Sequence, residues 1–306
     1  MDADRAAALA QGLLDDATAQ TSPLGLRPTD LEEAVRARAQ TKARGGYATW
    51  GIATLDDLCG PLMPGELTLL GALTGVGKSS LALQVAVHTA DQAGHTLYVS
   101  YEMSPAATGL HTLAAVAGLT LDEVQAWLDS PSLAPARTGH GQLDLTVYTH
   151  APPVDVLAAQ VRALDARRRL RLVVVDYVQQ IGAPARLRTE NRTQEVAAVS
   201  RALKQVTLAA DVPVLACAQL SRAADGRGGA AREPQLSDLL DSGQLERDAD
   251  NVLLLARTGD PGVVHAYLRK ARLGPLDDRR LRWLAKRTKF ADLAGYRSTA
   301  TSEAQA

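Results

Sequence analysis

From Glu66 onward, short continuous apolar runs alternate with longer stretches in which apolar residues recur every three or four positions. The runs ELTLLG (66–71), TLYVSY (96–101), LDLTVYTH (143–150), LRLVVVDYV (170–178) and VPVLACAQL (212–220) predict strands. The stretches KSSLALQVAVHTADQAG (78–94), Pro105 to Trp127, VDVLAAQVRALDARRR (154–169) and Thr193 to Ala210 predict the helices between them. Strands that alternate with crossover helices define an α/β fold with a parallel twisted sheet covered on both faces. The runs LVVVD and VPVLACA have no polar alternation, as a strand buried on both faces requires. NVLLLAR (251–257) and VVHAYLRKARL (263–273) are strand-like and follow a polar loop.

Before this core the pattern changes. DRAAALAQGLLDDATA (4–19) and DLEEAVRARAQTKAR (30–44) have helical spacing, and a Pro/Gly break separates them. The second carries acids first and bases last, as the helix dipole favours. Neither has enough apolar face for a core of its own. The expected organisation is a helical linker or docking arm over 1–45, a catalytic domain over 46–292 and a disordered tail over 293–306.

Composition adds little. The chain has 306 residues, a formal net charge of −1 and 4% aromatic residues, so any nucleic-acid contact must come from a local basic surface. Cys59 and Cys217 lie far apart and form no metal-ligand spacing. With no apolar signal core and no run of membrane-spanning length, the expected location is the cytoplasm, with no membrane contact.

The candidate chemistry begins where ELTLL meets GALTGVGKSS (71–80). A strand, a glycine-rich turn and a Gly-Lys-Ser opening a helix form a phosphate-binding P-loop. Ala72, Leu73, Thr74, Gly75, Val76, Gly77, Lys78, Ser79 and Ser80 would cradle a nucleoside triphosphate. Gly75 and Gly77 let backbone amides approach the phosphates. Lys78 would pair with the β- and γ-phosphates, and Ser79 would ligate Mg²⁺. Ala72 stands where the motif's first glycine is usual. Asp176 ends a buried strand where a second metal-associated acid is expected.

Glu102 follows the strand TLYVSY, which is expected beside the P-loop strand, and would activate water for attack on the γ-phosphate. From spacing alone it is equally well an acid preceding a helix. Gln219 ends VPVLACAQL and is either a γ-phosphate sensor or a polar residue satisfying backbone groups. LRKARL reads by itself as a basic edge strand.

With these residues placed, the chain resembles the C-terminal motor domain of DnaB-type replicative DNA helicases, members of the RecA-like ATPases. The blocks YVSYEMS, LVVVDYVQQI, VPVLACAQLSR, SGQLERDAD and LRKARLGP occur in the family's order between about Gly51 and Phe290. The resemblance implies a RecA-like P-loop core that hydrolyses ATP with Mg²⁺ at the subunit interfaces of a hexameric ring. It also implies movement on single-stranded DNA during replication, with replication proteins as partners. By position, Glu102 matches the catalytic glutamate, Asp176 the metal-associated acid and Gln219 the sensor. Lys270 and Arg272 match a basic pair offered to the neighbouring subunit's γ-phosphate. Gly243 matches a backbone contact to DNA, and Arg186, Arg188, Arg192 and Arg222 read equally well as further DNA contacts or as solvated loop residues.

Some positions depart from the family. Leu240 stands where a DNA-gripping basic residue is usual, and His111 lies near the place of a usual arginine. The family's collar domain is expected to be missing before residue 46, which puts coupling to a primase or loader outside this reading. The rival readings are a RecA-like ATPase that regulates or scaffolds without unwinding, and a P-loop kinase.

Overall fold

The computed structural model describes residues 47–130, 143–150, 152–184, 187, 191–221, 232–240 and 243–296, together with 32–33 and 35–36. The expected arm therefore lies almost wholly outside the described residues, as do Arg186, Arg188 and Arg222. Tyr47 onward forms one compact unit.

Nine strands make one sheet: β1 (Leu67–Ala72), β2 (Thr96–Ser100), β3 (Leu145–Tyr148), β4 (Leu172–Asp176), β5 (Val214–Gln219), β6 (Asn251–Arg257), β7 (Val263–Ala271), β8 (Asp278–Leu284) and β9 (Lys289–Ala291). Their spatial order is β3-β2-β4-β5-β1-β6-β7-β8-β9. Every pairing from β3 to β6 is parallel, and the three pairings beyond β6 are antiparallel. The helices of the core are α1 (Ala53–Cys59), α2 (Lys78–Gln92), α3 (Pro105–Ala117), α4 (Leu121–Asp129), α5 (Val154–Arg167), α6 (Arg192–Ala210) and α7 (Gly243–Asp248).

The central strands are buried on both faces, so each supplies two cores in alternation. Leu67, Leu69, Val173, Val175, Val214 and Ala216 pack with Val161 of α5 and Val199 and Leu203 of α6. Leu70, Ala72, Leu172, Val174, Leu215 and Cys217 pack on the opposite face with Leu81 and Val85 of α2. At roughly 25 cal/mol per Å² of apolar surface, this double burial is the main force holding the layers together.

One expectation of strand order is corrected. β2 is not beside the P-loop strand: β4 and β5 lie between them. Three strand spacings are about 14 Å, and a 15-residue helix such as α2 is about 22 Å long. The crossover can therefore step past two positions, and hydrophobic periodicity carries no record of how far it steps. The consequence is useful, because the two intervening positions are filled by the strands ending in Asp176 and Gln219.

The segment after β9 bonds back to α1. The Asp292 carboxylate accepts from Thr54 N–H at 2.8 Å and Thr54 Oγ1 at 2.5 Å. Tyr296, within the stretch expected as tail, donates to Asp57 Oδ2 at 2.7 Å.

Candidate active site

Four parallel strands bring their C-terminal ends to one edge of the sheet, where ligands of open α/β sheets bind. In register, Ala72 stands beside Gln219, and Ser100 beside Asp176. The P-loop, Asp176, Gln219 and the segment carrying Glu102 thus converge although they lie far apart along the chain.

The loop after β1 is shaped by its glycines. Gly75 has φ 77° and Gly77 has φ 108°, backbone conformations that side chains disfavour. A Cβ on Gly77 would lie 2.8 Å from Phe290 Cζ, so the loop also needs the missing side chain for space. Gly77 is the N-cap of α2 and offers no side-chain cap. The first-turn amides of that helix are left for an anion, with the positive end of the helix dipole behind them. Arg257, at the end of β6, donates from Nη2 to Gly75 O at 2.8 Å and braces the loop from outside. The Lys78 ammonium lies 4.3 Å from the centre of the Tyr177 ring, a cation–π contact that orients it.

Asp176 is fully buried at the end of β4. Its Oδ2 accepts from Tyr98 OH at 3.0 Å, whereas Oδ1 has no hydrogen-bond partner. A buried carboxylate oxygen without a donor is costly unless a cation meets it. Burial, and then the adjacent Asp176 charge, push the Tyr98 hydroxyl and the Cys217 thiol well above their ordinary pKa ranges. Both therefore stay neutral beside the carboxylate.

Glu102 is exposed in the bend between β2 and α3, and Ser104 rather than Glu102 caps α3. Its carboxylate is therefore not spent on the helix. Gln219 donates through Nε2 to Thr74 Oγ1 at 3.3 Å, tying the strand end to the P-loop. Gln179, in the short turn after β4, joins this set although nothing in the sequence singles it out. Its Oε1 accepts from Gln219 N–H at 3.1 Å, and its Nε2 reaches Gln219 O and Leu240 O, each at 3.3 Å. Gln219 and the Leu240 segment are thereby fastened to one buried amide. His111 lines a small cleft with Ser79, Ser80 and Thr288, and burial lowers its pKa.

Lys270 and Arg272 are elsewhere. β7 runs antiparallel to β6, and Ala271 pairs with Asn251, next to Thr68 near the start of β1. The pair therefore sits at the opposite edge of the sheet from the P-loop. Five residue steps along β1 alone amount to about 16 Å. Lys270 Nζ donates to Glu246 O at 2.7 Å, at the C-terminal end of α7. Arg272 pairs with Asp250 at 2.6 Å and remains exposed.

Of the residues expected at DNA, Arg192 donates to Gln179 O through Nη2 and pairs with Glu195 at 2.6 Å, and its side chain remains 45% exposed. Gly243 is exposed at the start of α7.

A P-loop at the C-terminal edge of a sheet ordered β3-β2-β4-β5-β1, with an acid ending β4, defines a RecA-like P-loop NTPase core. The family described as "DnaB-like helicase C terminal domain" matches residues 47–292, and the chain belongs to it. The replicative DNA helicase DnaB of Leifsonia xyli subsp. xyli is 33% identical over 257 residues, covering 80% of this chain and 55% of that protein. The DnaB of Haemophilus influenzae is 30% identical over 266 residues, covering 81% of this chain and 56% of its own length. The chain thus spans about half the length of the curated relatives it matches. In fold it is similar to a solved DnaB-like replicative helicase, with a TM-score of 0.74, 23% identity, and coverage of 95% of this chain and 76% of that one.

Proposed function

We propose that this chain is the motor domain of a replicative DNA helicase, hydrolysing ATP at the junctions of a homo-oligomeric, hexameric ring in the cytoplasm and moving on single-stranded DNA. The observation that carries the reading is the separation of Arg272 from its own P-loop by the full length of the sheet. A RecA-like core leaves its nucleotide open on one face, and a second copy brings Arg272 to it.

Within one site, the P-loop amides and Lys78 bind the triphosphate, and Glu102 takes the proton of the attacking water. Gln219 senses the γ-phosphate and relays its loss through Gln179 to the Leu240 segment. Ser79 and Asp176 would hold Mg²⁺, and the donor-free Asp176 Oδ1 fits that role. Bound there, the ion would neutralise charge on the β- and γ-phosphate oxygens. On the DNA side, the exposed Gly243 amide and the arginines at 186, 188 and 222 would meet phosphates, with other replication proteins as partners. Leu240 favours a second reading, an ATPase of the same fold that scaffolds without unwinding, because no basic side chain stands at that position.

The test is ATPase rate with and without single-stranded DNA, combined with a mixing experiment. Alone, Arg272→Ala subunits should bind ATP but hydrolyse it poorly, and Lys78→Ala subunits should be inactive. Mixed, they form some junctions with an intact P-loop facing an intact Arg272, and turnover should rise above either mutant. No rise, with mixed oligomers demonstrated by mass, refutes action across the junction. A rate indifferent to DNA selects the scaffolding reading.

A further inference from the structure

Arg272 is exposed, yet it is not loose in its own chain. Nη1 donates to Asp250 Oδ1 at 2.6 Å; the arginine side chain is 67% exposed and the carboxylate 2%. The other carboxylate oxygen accepts from Leu67 N–H at 2.8 Å and from Lys204 Nζ at 2.6 Å. Asp250 N–H in turn donates to Leu67 O at 2.8 Å. Asp250 is therefore fastened twice to the first residue of the P-loop strand. Lys204 is held by Gly65 O at 2.9 Å, so the cation does not wander from the carboxylate.

This geometry differs from that of an ordinary surface ion pair, whose two flexible partners contribute little. Here one partner is immobile and already charge-balanced by Lys204. A guanidinium carries five N–H donors in a fixed plane, and Asp250 takes one of them. The bond restrains the guanidinium at Nη1, and two thirds of the side chain stays open to solvent.

We propose that Asp250 is a positioning residue. It aims Arg272 at the nucleotide of a neighbouring copy and anchors that arginine to the base of its own P-loop strand. This rests on the reading of Arg272 given above.

The test compares purified full chains in the DNA-stimulated ATPase assay. Asp250→Asn keeps the side chain's size and an acceptor for Leu67 N–H, but removes the charge that orients the guanidinium. Turnover should fall by about 10²-fold, the scale of a misplacement near 1 Å, with KM for ATP within about two-fold. Asp250→Asn/Arg272→Ala should be no slower than Arg272→Ala, because one residue acts through the other. Mixed with Lys78→Ala, Asp250→Asn subunits should regain activity, since their own P-loops are intact and the partner supplies a well-held arginine.

If Asp250→Asn does not fold, Asp250→Glu keeps the charge and displaces the guanidinium by one methylene; its turnover should fall in the same way. Wild-type or raised turnover in the folded Asp250 variant, with Arg272→Ala slowed, overturns the positioning role alone. A double variant slower than Arg272→Ala, or no recovery on mixing, also overturns it. Wild-type turnover in Arg272→Ala brings down both this role and the reading of Arg272.

Discussion

Replacing Gly77 with alanine probes the P-loop at its tightest point. Two penalties follow from the geometry. At φ 108° and ψ 17° the backbone lies in left-handed territory, where an L side chain costs about 1–2 kcal/mol. The new Cβ would also sit 2.8–2.9 Å from two ring carbons of Phe290. That ring cannot retreat easily. It is fully buried, stacks on Trp283 at 4.6 Å, and its backbone is bonded to Gln84 through both N–H (2.9 Å) and C=O (3.0 Å). Overpacking a core site of this kind costs about 1–3 kcal/mol. Together Gly77→Ala should lose about 2–5 kcal/mol, a large part of the stability of about 5–15 kcal/mol usual for a domain. Urea denaturation of Gly77→Ala, Phe290→Leu and the double variant forms a cycle. Phe290→Leu should cost stability in the parent chain and much less, or nothing, in Gly77→Ala, giving a coupling of about 1–3 kcal/mol. An additive cycle would refute the clash, and a loss below about 1 kcal/mol in Gly77→Ala would refute the strain argument as well.

Lys78→Ala should lose nucleotide binding as well as turnover. Glu102→Gln should bind ATP normally and hydrolyse it about 10²–10⁴-fold more slowly, as loss of a general base requires; a fluorescent-nucleotide titration beside the ATPase assay separates the two, and full turnover in Glu102→Gln excludes the base. Single-strand affinity should fall linearly on a log–log plot against salt as counterions are released, and Leu240→Arg should tighten binding at fixed salt; unchanged affinity would remove Leu240 from the DNA face. Burial alone would raise the pKa of Asp250, but the bonds from Lys204, Leu67 N–H and Arg272 outweigh it and hold the pKa below the ordinary value. Its contribution to stability is therefore complete above the unfolded value near ~3.9 and is lost as pH falls through the lower folded value. Urea midpoints of parent and Asp250→Asn should differ most above about pH 4 and converge below it; a gap that widens in acid reverses the sign and refutes the assignment.

Much of the site is legible in the sequence because its parts are local. The strand, the glycines and Gly-Lys-Ser are contiguous, and the fold places them as their order requires. Asp176 is readable because an acid ending a run of four apolar residues has few other reasons to be there. What escapes is what only packing creates. Gln179 is one glutamine of two in DYVQQ, and nothing in its neighbours marks it as the buried amide joining Gln219 to Leu240. Phe290 under Gly77, Tyr177 under Lys78 and Arg257 on Gly75 are contacts across the sheet that no periodicity encodes. β8 escapes for a different reason. Its sequence DRRLRWL buries Leu281 fully and leaves the other positions exposed or half-exposed, so a strand rich in arginine between β7 and β9 lacks the apolar run that announces strands. The position of β2 is not encoded because crossover length permits several strand orders.

In the proposed ring, the two edges of the sheet divide the chemistry between copies of the chain. At the C-terminal edge the subunit has the amides of the glycine loop, Lys78, Asp176 and Gln219, but Arg257 is committed to the loop backbone through Nη2. At the opposite edge Arg272 is anchored where it cannot reach those groups. Joining the edges is β1, six buried residues paired in parallel on both sides. A strand so held moves as a body, since local stretching would break ladder bonds inside two dry cores. Displacement of the P-loop would therefore be felt at Leu67, and through Asp250 at Arg272. On this argument each copy's nucleotide bears on the arginine offered to the next, and the direction of that influence around a ring follows from the polarity of one strand.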